Sequence, residues 1–134
     1  KDVEVRFNSY LGNFGKPAAN YIQTAAGKHK RFPAYDDPAK APWAFYADDV
    51  KDVAYGKGKG TGGILVQPEE WDHVRYGHRT RLKKTVDLEP GETARFHWAL
   101  WIYPDRTNEE AFRAFTASRK ETEGLLTVFF DAEQ

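Results

Sequence analysis

Residues 93–103 read TARFHWALWIY, and how that stretch is read decides the fold. Ala94, Phe96, Trp98, Leu100 and Ile102 alternate with Thr93, Arg95, His97, Ala99, Trp101 and Tyr103. A period of two predicts a half-buried strand, with the first set toward the core and the second toward water. The run before it answers with Leu82, Val86 and Leu88, and Glu89-Pro90-Gly91-Glu92 between them has the composition of a turn. Residues 79–104 therefore read as a hairpin. The register that keeps the faces separate sets Leu88 against Ala94, Val86 against Phe96 and Leu82 against Leu100. On the other face it sets Asp87 against Arg95 as an ion pair, and Arg81 against Trp101 as a cation–π contact.

Outward from this stretch the chain reads as further short strands. Residues 2–7 alternate Val3, Val5 and Phe7 against Glu4 and Arg6, a strand with one wet face. Residues 8–16 (NSYLGNFGK) carry turn chemistry, and residues 18–24 predict a strand centred on Tyr21 and Ile22, with a short helix as competitor. AAGK at 25–28 turns the chain, and Pro33 keeps 30–35 extended. WAFYA at 43–47 is a compact aromatic strand, and ILV at 64–66, bounded by Gly and Pro, a buried one. Pro68, Glu69 and Glu70 suit one helical turn before Val74 and Tyr76 resume alternation.

After residue 104 the period changes. Thr107 with Glu110 fits a capping box, and Ala111, Phe112, Ala114, Phe115 and Arg119 follow a helical repeat. Gly124 stands where a C-cap belongs, so a helix is predicted over 108–123 and a closing strand over 125–130 (LLTVFF). The fold expected is mainly β: an antiparallel β-sandwich with one α-helix near the C-terminal end. Residues 1–134 read as a single domain. A start at Lys1, already inside a strand pattern, fits a processed protein or a piece of a larger one.

Twenty basic and twenty acidic residues balance to zero, which argues against a general binder of nucleic acid or membrane surfaces. No run of apolar residues is long enough for a spanning helix. The chain has no cysteine, so disulfides and thiolate metal sites are excluded and the redox compartment stays open. A secreted or periplasmic location is favoured. Nine Phe, seven Tyr and four Trp fit either a sugar- or protein-binding surface or an aromatic-rich β-sandwich core.

The segment 56–63 (GKGKGTGG) places Gly58, Gly60 and Gly63 in a G-x-G-x-x-G order. A dinucleotide site needs a helix after that loop, and here a strand follows, so a lysine-bearing loop flanking a ligand or partner is the better reading. The odd spacing of His73 and His78 places them on opposite faces of a strand, which disfavours a shared metal, and neither metal nor cofactor is expected. Glu69, Glu70, Asp72, His78 and His97 could supply acid–base chemistry, yet nothing in their spacing makes them converge. The predicted wet face of the hairpin offers more. Trp101 and Tyr103 beside His97, Arg95 and Arg81 combine flat aromatics with hydrogen-bonding groups, as a sugar ring requires; the competing reading is that a helix or a neighbouring domain covers the two aromatics. Trp43 and Trp71 are further stacking candidates.

The strand, PGE turn and long aromatic strand of residues 87–104 (DLEPGETARFHWALWIYP) resemble the late strands of galactose-mutarotase-like supersandwich domains, and GGILVQPEEW at 62–71 is similar to what often precedes them. The resemblance spans residues 43–104. It implies carbohydrate context; the family's catalytic His and Glu have no residue-by-residue match here, so no activity is carried over. The function expected is that of a non-catalytic carbohydrate-binding or accessory domain, with a carbohydrate ligand and a neighbouring domain or subunit as partners. The alternatives are an epimerase- or lyase-like sugar enzyme using a His/carboxylate pair, and a structural protein-interaction domain.

Overall fold

The structure, a computed structural model, describes residues 1–10, 21–30, 35–36, 41–47, 61–76, 79–103 and 106–132. In chain order these form β1 Asp2–Tyr10, β2 Tyr21–Thr24, β3 Gly27–Lys30, β4 Tyr35–Asp36, β5 Trp43–Ala47, β6 Thr61–Val66, β7 His73–Tyr76, β8 Arg79–Asp87, β9 Trp98–Tyr103 and α1 Asn108–Ala132. A single 3₁₀ turn, Pro68–Glu70, precedes β7, with proline at its first position. The strands make two antiparallel sheets, in the orders β1-β8-β7-β4 and β3-β2-β5-β6-β9. The fold is therefore mainly β and sandwich-like, with one helix at the C-terminal end.

Strands β5 and β6 are buried on both faces, which is why they read as unbroken apolar runs rather than as alternation. Ala44, Tyr46, Ile64 and Val66 join Ile22 on one face and meet Val74, Tyr76 and Leu82 of the opposite sheet, with Trp71 between them. The Tyr46 hydroxyl bonds that of Thr80 across this core, and the Tyr76 hydroxyl donates to the Ala41 carbonyl at 2.6 Å. Each polar tip of these two tyrosines is thus satisfied where water is excluded. On the other face Trp43, Phe45, Ala47 and Leu65 pack beneath Ala111, Phe115 and Leu126 of α1. The central strands carry a core on either side.

The start of α1 is built as the sequence implies. Thr107 Oγ accepts from the Glu110 amide at 3.2 Å, and the Glu110 carboxylate accepts from the Thr107 amide at 3.4 Å, a reciprocal capping box. Its end is not. The helix runs through Gly124 to Ala132, correcting both the expected end at residue 123 and the expected strand over 125–130. Leu126 lies eleven positions beyond Phe115, about three helical turns, so it falls on the same stripe and is buried against the sheet. That packing overrides the strand propensity of LLTVFF. Thr122 and Thr127 accommodate it by donating back to the carbonyls of Ser118 (2.8 Å) and Glu123 (3.0 Å).

The hairpin is also corrected. The turn forms: Glu92 donates to the Glu89 carbonyl at 3.0 Å, and Gly91 takes φ +88°, which favours glycine. It carries the chain from one sheet to the other instead of joining paired strands. Strand β8 lies between β1 and β7, while β9 pairs with β6. Leu82 faces Phe7 and Val74 in register, not Leu100. Arg81 faces Asn8 and Arg75, not Trp101, and Asp87 holds the Lys1 amino group at 3.0 Å rather than Arg95. Strand β9 begins only at Trp98, so residues 88–97 make a connection too long for a tight hairpin. Alternation identifies a strand; it does not choose the neighbour.

Candidate functional site

Strand β9 runs antiparallel to β6, from Thr61 opposite Tyr103 to Val66 opposite Trp98, and is the last strand of its sheet among the described residues. Its two faces are the reverse of those predicted. Ala99, Trp101 and Tyr103 turn toward α1, where the Trp101 ring meets Phe115 edge-on at 5.4 Å. The Arg106 guanidinium lies over the Tyr103 ring at 5.6 Å. Burial pushes the Tyr103 phenol above its usual range. Ser118 tempers that rise without making a hydrogen bond of good geometry to the enclosed hydroxyl.

Trp98, Leu100 and Ile102, expected as the core anchor, are 42%, 42% and 71% exposed. They share the face of Ile64 and Val66 but lie toward the margin of the sheet, where the opposite sheet covers less of it. The helix has taken the aromatic side of the strand because Phe115 needs a large flat partner. Phe96, ahead of the strand, keeps its predicted inward role, packed at 4.8 Å on Trp71.

Glycine makes the helix side possible. A Cβ on Gly63 would enter the Phe115 ring, and one on Gly62 would stand 2.5 Å from the Trp101 carbonyl oxygen. The end of the glycine-rich segment is thus a close-packing device. Gly58, Gly60 and the rest of residues 56–60 lie outside the described residues.

One acid–base pair does assemble. Glu70, in the 3₁₀ turn, is only 8% exposed and accepts from the His97 amide at 2.8 Å. Its other carboxylate oxygen lies 2.5 Å from His97 Nδ1. Both residues are recognisable as candidates from the sequence, but their meeting is not, since it depends on β6 pairing with β9, which sets Val66 opposite Trp98. The remaining carboxylate candidates are tied elsewhere. Asp72 accepts from the Thr85 amide at 2.9 Å and from Lys84 at 3.1 Å, and Glu69 from Gln67 at 2.6 Å. His78 lies outside the described residues. His73 is exposed, and His29 is 3.2 Å from the Thr24 hydroxyl. Among the described residues no three His, Asp or Glu side chains are grouped to hold a metal ion, and no helix is long and apolar enough to cross a membrane.

The seven residues expected to bind a ligand do not share one surface. Trp101 and Tyr103 are half-buried under α1, with Trp43 beneath the same helix and the Arg119 guanidinium 4.4 Å over its ring. Trp71 is enclosed in the sandwich core, and His97 is held by Glu70. Arg81 and Arg95 are exposed, one on β8 and one before β9. What the sequence reading missed is the exposure of Leu100 and Ile102. A signal for it exists: β1 carries Asp2, Glu4 and Arg6, β3 carries Lys28, His29 and Lys30, and WALWIY in β9 carries no charge. No family model, curated protein or solved structure matches this chain.

Proposed function

We propose that this chain is a non-catalytic β-sandwich interaction domain that accepts an extended partner segment along β9. The observation that carries this reading is an uncharged terminal strand whose outer side chains, Leu100 and Ile102, stand in water while its other face is anchored beneath a helix. An edge of that kind offers a row of backbone donors and acceptors next to apolar side chains, the chemistry of strand addition. The test is fluorescence anisotropy with a labelled peptide of alternating Val and Thr, flanked by lysines for solubility. Saturable binding that disappears in Leu100→Lys supports the reading. No binding of the peptide by wild-type chain that is monomeric at the concentration used would sink it.

Two observations favour other classes. The Trp98 side chain is 42% exposed, a flat aromatic surface that supports the carbohydrate reading, though on a different tryptophan from Trp101. Retention on a glycan array, lost in Trp98→Ala, would support it. Glu70 orients the His97 ring through Nδ1, as a sugar-acting enzyme would require of its base.

A further inference from the structure

We infer that the segment β9 accepts is β9 of a second copy of this chain, paired antiparallel about a two-fold axis at Leu100, so that two five-stranded sheets become one. The inference rests on the strand-accepting role proposed above and names its partner. Among the described residues, the four terminal strands of the two sheets differ in how they are protected. Charged side chains alternate along β1, β3 is nearly all basic, and β4 has two residues. Short or charged edges discourage pairing, and β9, six residues without a charge, has neither protection.

The register follows from parity. Residues directly opposite in an antiparallel pair lie on one face, so in a symmetric pair of strands the axis must pass at a residue and not between two. With the axis at Leu100, Trp98 meets the partner's Ile102, and Leu100 meets the partner's Leu100. On the helix side small Ala99 meets the partner's Trp101, and His97 meets the partner's Tyr103. An axis at Trp101 would oppose two indoles, each already held against Phe115, and would leave Trp98 beyond the paired stretch. No charge within β9 is desolvated by pairing, and the zero net charge of the chain adds no long-range repulsion between copies. A strand pair is a small interface, so the dissociation constant expected is on the order of 10 μM.

The absence of cysteine allows a clean test by single-cysteine cross-linking. In Leu100→Cys the two sulfurs belong to directly opposed residues, whose Cα atoms are about 4.5–5.5 Å apart, within disulfide range. In Ile102→Cys the same residues are four positions out of register, about 13 Å apart. Leu100→Cys should form covalent dimers under mild oxidation at least about tenfold faster than Ile102→Cys, although Ile102 is the more exposed residue. Sedimentation velocity should show a concentration-dependent dimer for the wild type and a monomer for Leu100→Lys, with unchanged circular dichroism. Equal cross-linking rates, or a wild type monomeric well above 100 μM, would overturn the inference. A monomer that still binds the Val/Thr peptide overturns self-pairing alone; one that binds no peptide overturns strand acceptance as well.

Discussion

Gly63→Ala tests the packing that turns β9 toward the helix. Glycine in a strand is intrinsically unfavourable, so alanine in open space would stabilise by about 0.5–1 kcal/mol. Space is absent here: three atoms of the Phe115 ring would fall within 3.0 Å of the new methyl carbon, against an ordinary carbon–carbon separation of about 3.5–4.0 Å. The ring would have to retreat by about 1 Å, and its neighbours oppose this. Phe115 is fully buried, with Trp101 at 5.4 Å, Phe45 at 5.7 Å and Trp43 at 5.9 Å between ring centres. Overpacking of a caged ring costs about 2–3 kcal/mol, leaving a net loss of about 2 kcal/mol. Urea unfolding should show the midpoint falling by about 1 M with an unchanged slope. In a Phe115→Leu background the smaller, more flexible side chain should absorb the methyl group, giving a coupling of about 1.5–2 kcal/mol in the double-mutant cycle. A Gly63→Ala protein as stable as wild type, or one whose loss is the same in both backgrounds, would refute the close approach of Phe115.

Two further substitutions probe the helix and the face beneath it. Gly124→Ala should stabilise by about 0.5–1 kcal/mol, because Gly124 lies in an exposed helix interior with nothing within 4 Å of its would-be Cβ; a loss measured by thermal unfolding would restore Gly124 as a helix end. Tyr103 has its phenol raised above 10.0 by burial. The folded chain therefore holds that proton more tightly, and its contribution is complete below about pH 10 and lost as pH climbs through the raised value. Tyr103→Phe lacks this loss, so its stability relative to wild type should rise above about pH 10 in urea titrations. A difference that stays flat from neutral to strongly alkaline pH would count against an enclosed hydroxyl.

Much of the architecture is legible locally, because some signals need no knowledge of the neighbour. Trp43–Ala47 stands as a strand because five apolar residues bounded by a loop suit no other short element, and it is buried throughout. Pro68 fixes the first position of a 3₁₀ turn through its own φ angle, and Thr107 and Glu110 complete each other's hydrogen bonds within four residues. The pairing of β8, the end of α1 and the meeting of Glu70 with His97 depend on elements distant in sequence. Gly124 illustrates the difference. The same glycine ends a helix or sits harmlessly inside one, and the choice lies with Leu126, whose burial against the sheet stabilises the extra turns.

The orientation of β9 is the least legible feature and the one with most bearing on function. Trp98-Leu100-Ile102 and Ala99-Trp101-Tyr103 are both apolar enough to be buried, so alternation separates two faces without ranking them. The ranking comes from what the rest of the fold can supply. Helix α1 brings Phe115 and needs a glycine gap opposite it, which Gly63 provides next to Trp101 in the β6–β9 register. Once Trp101 fills that position, Leu100 and Ile102 must face the other way. The opposite sheet leaves Ile102 largely uncovered. An apolar strand end of this kind is destabilising as it stands, and it becomes favourable when a second strand shields it. The residues that look like a core anchor in the sequence therefore carry the interaction proposed here, and the aromatic pair that looks like a binding platform, Trp101 and Tyr103, holds the strand in place for it.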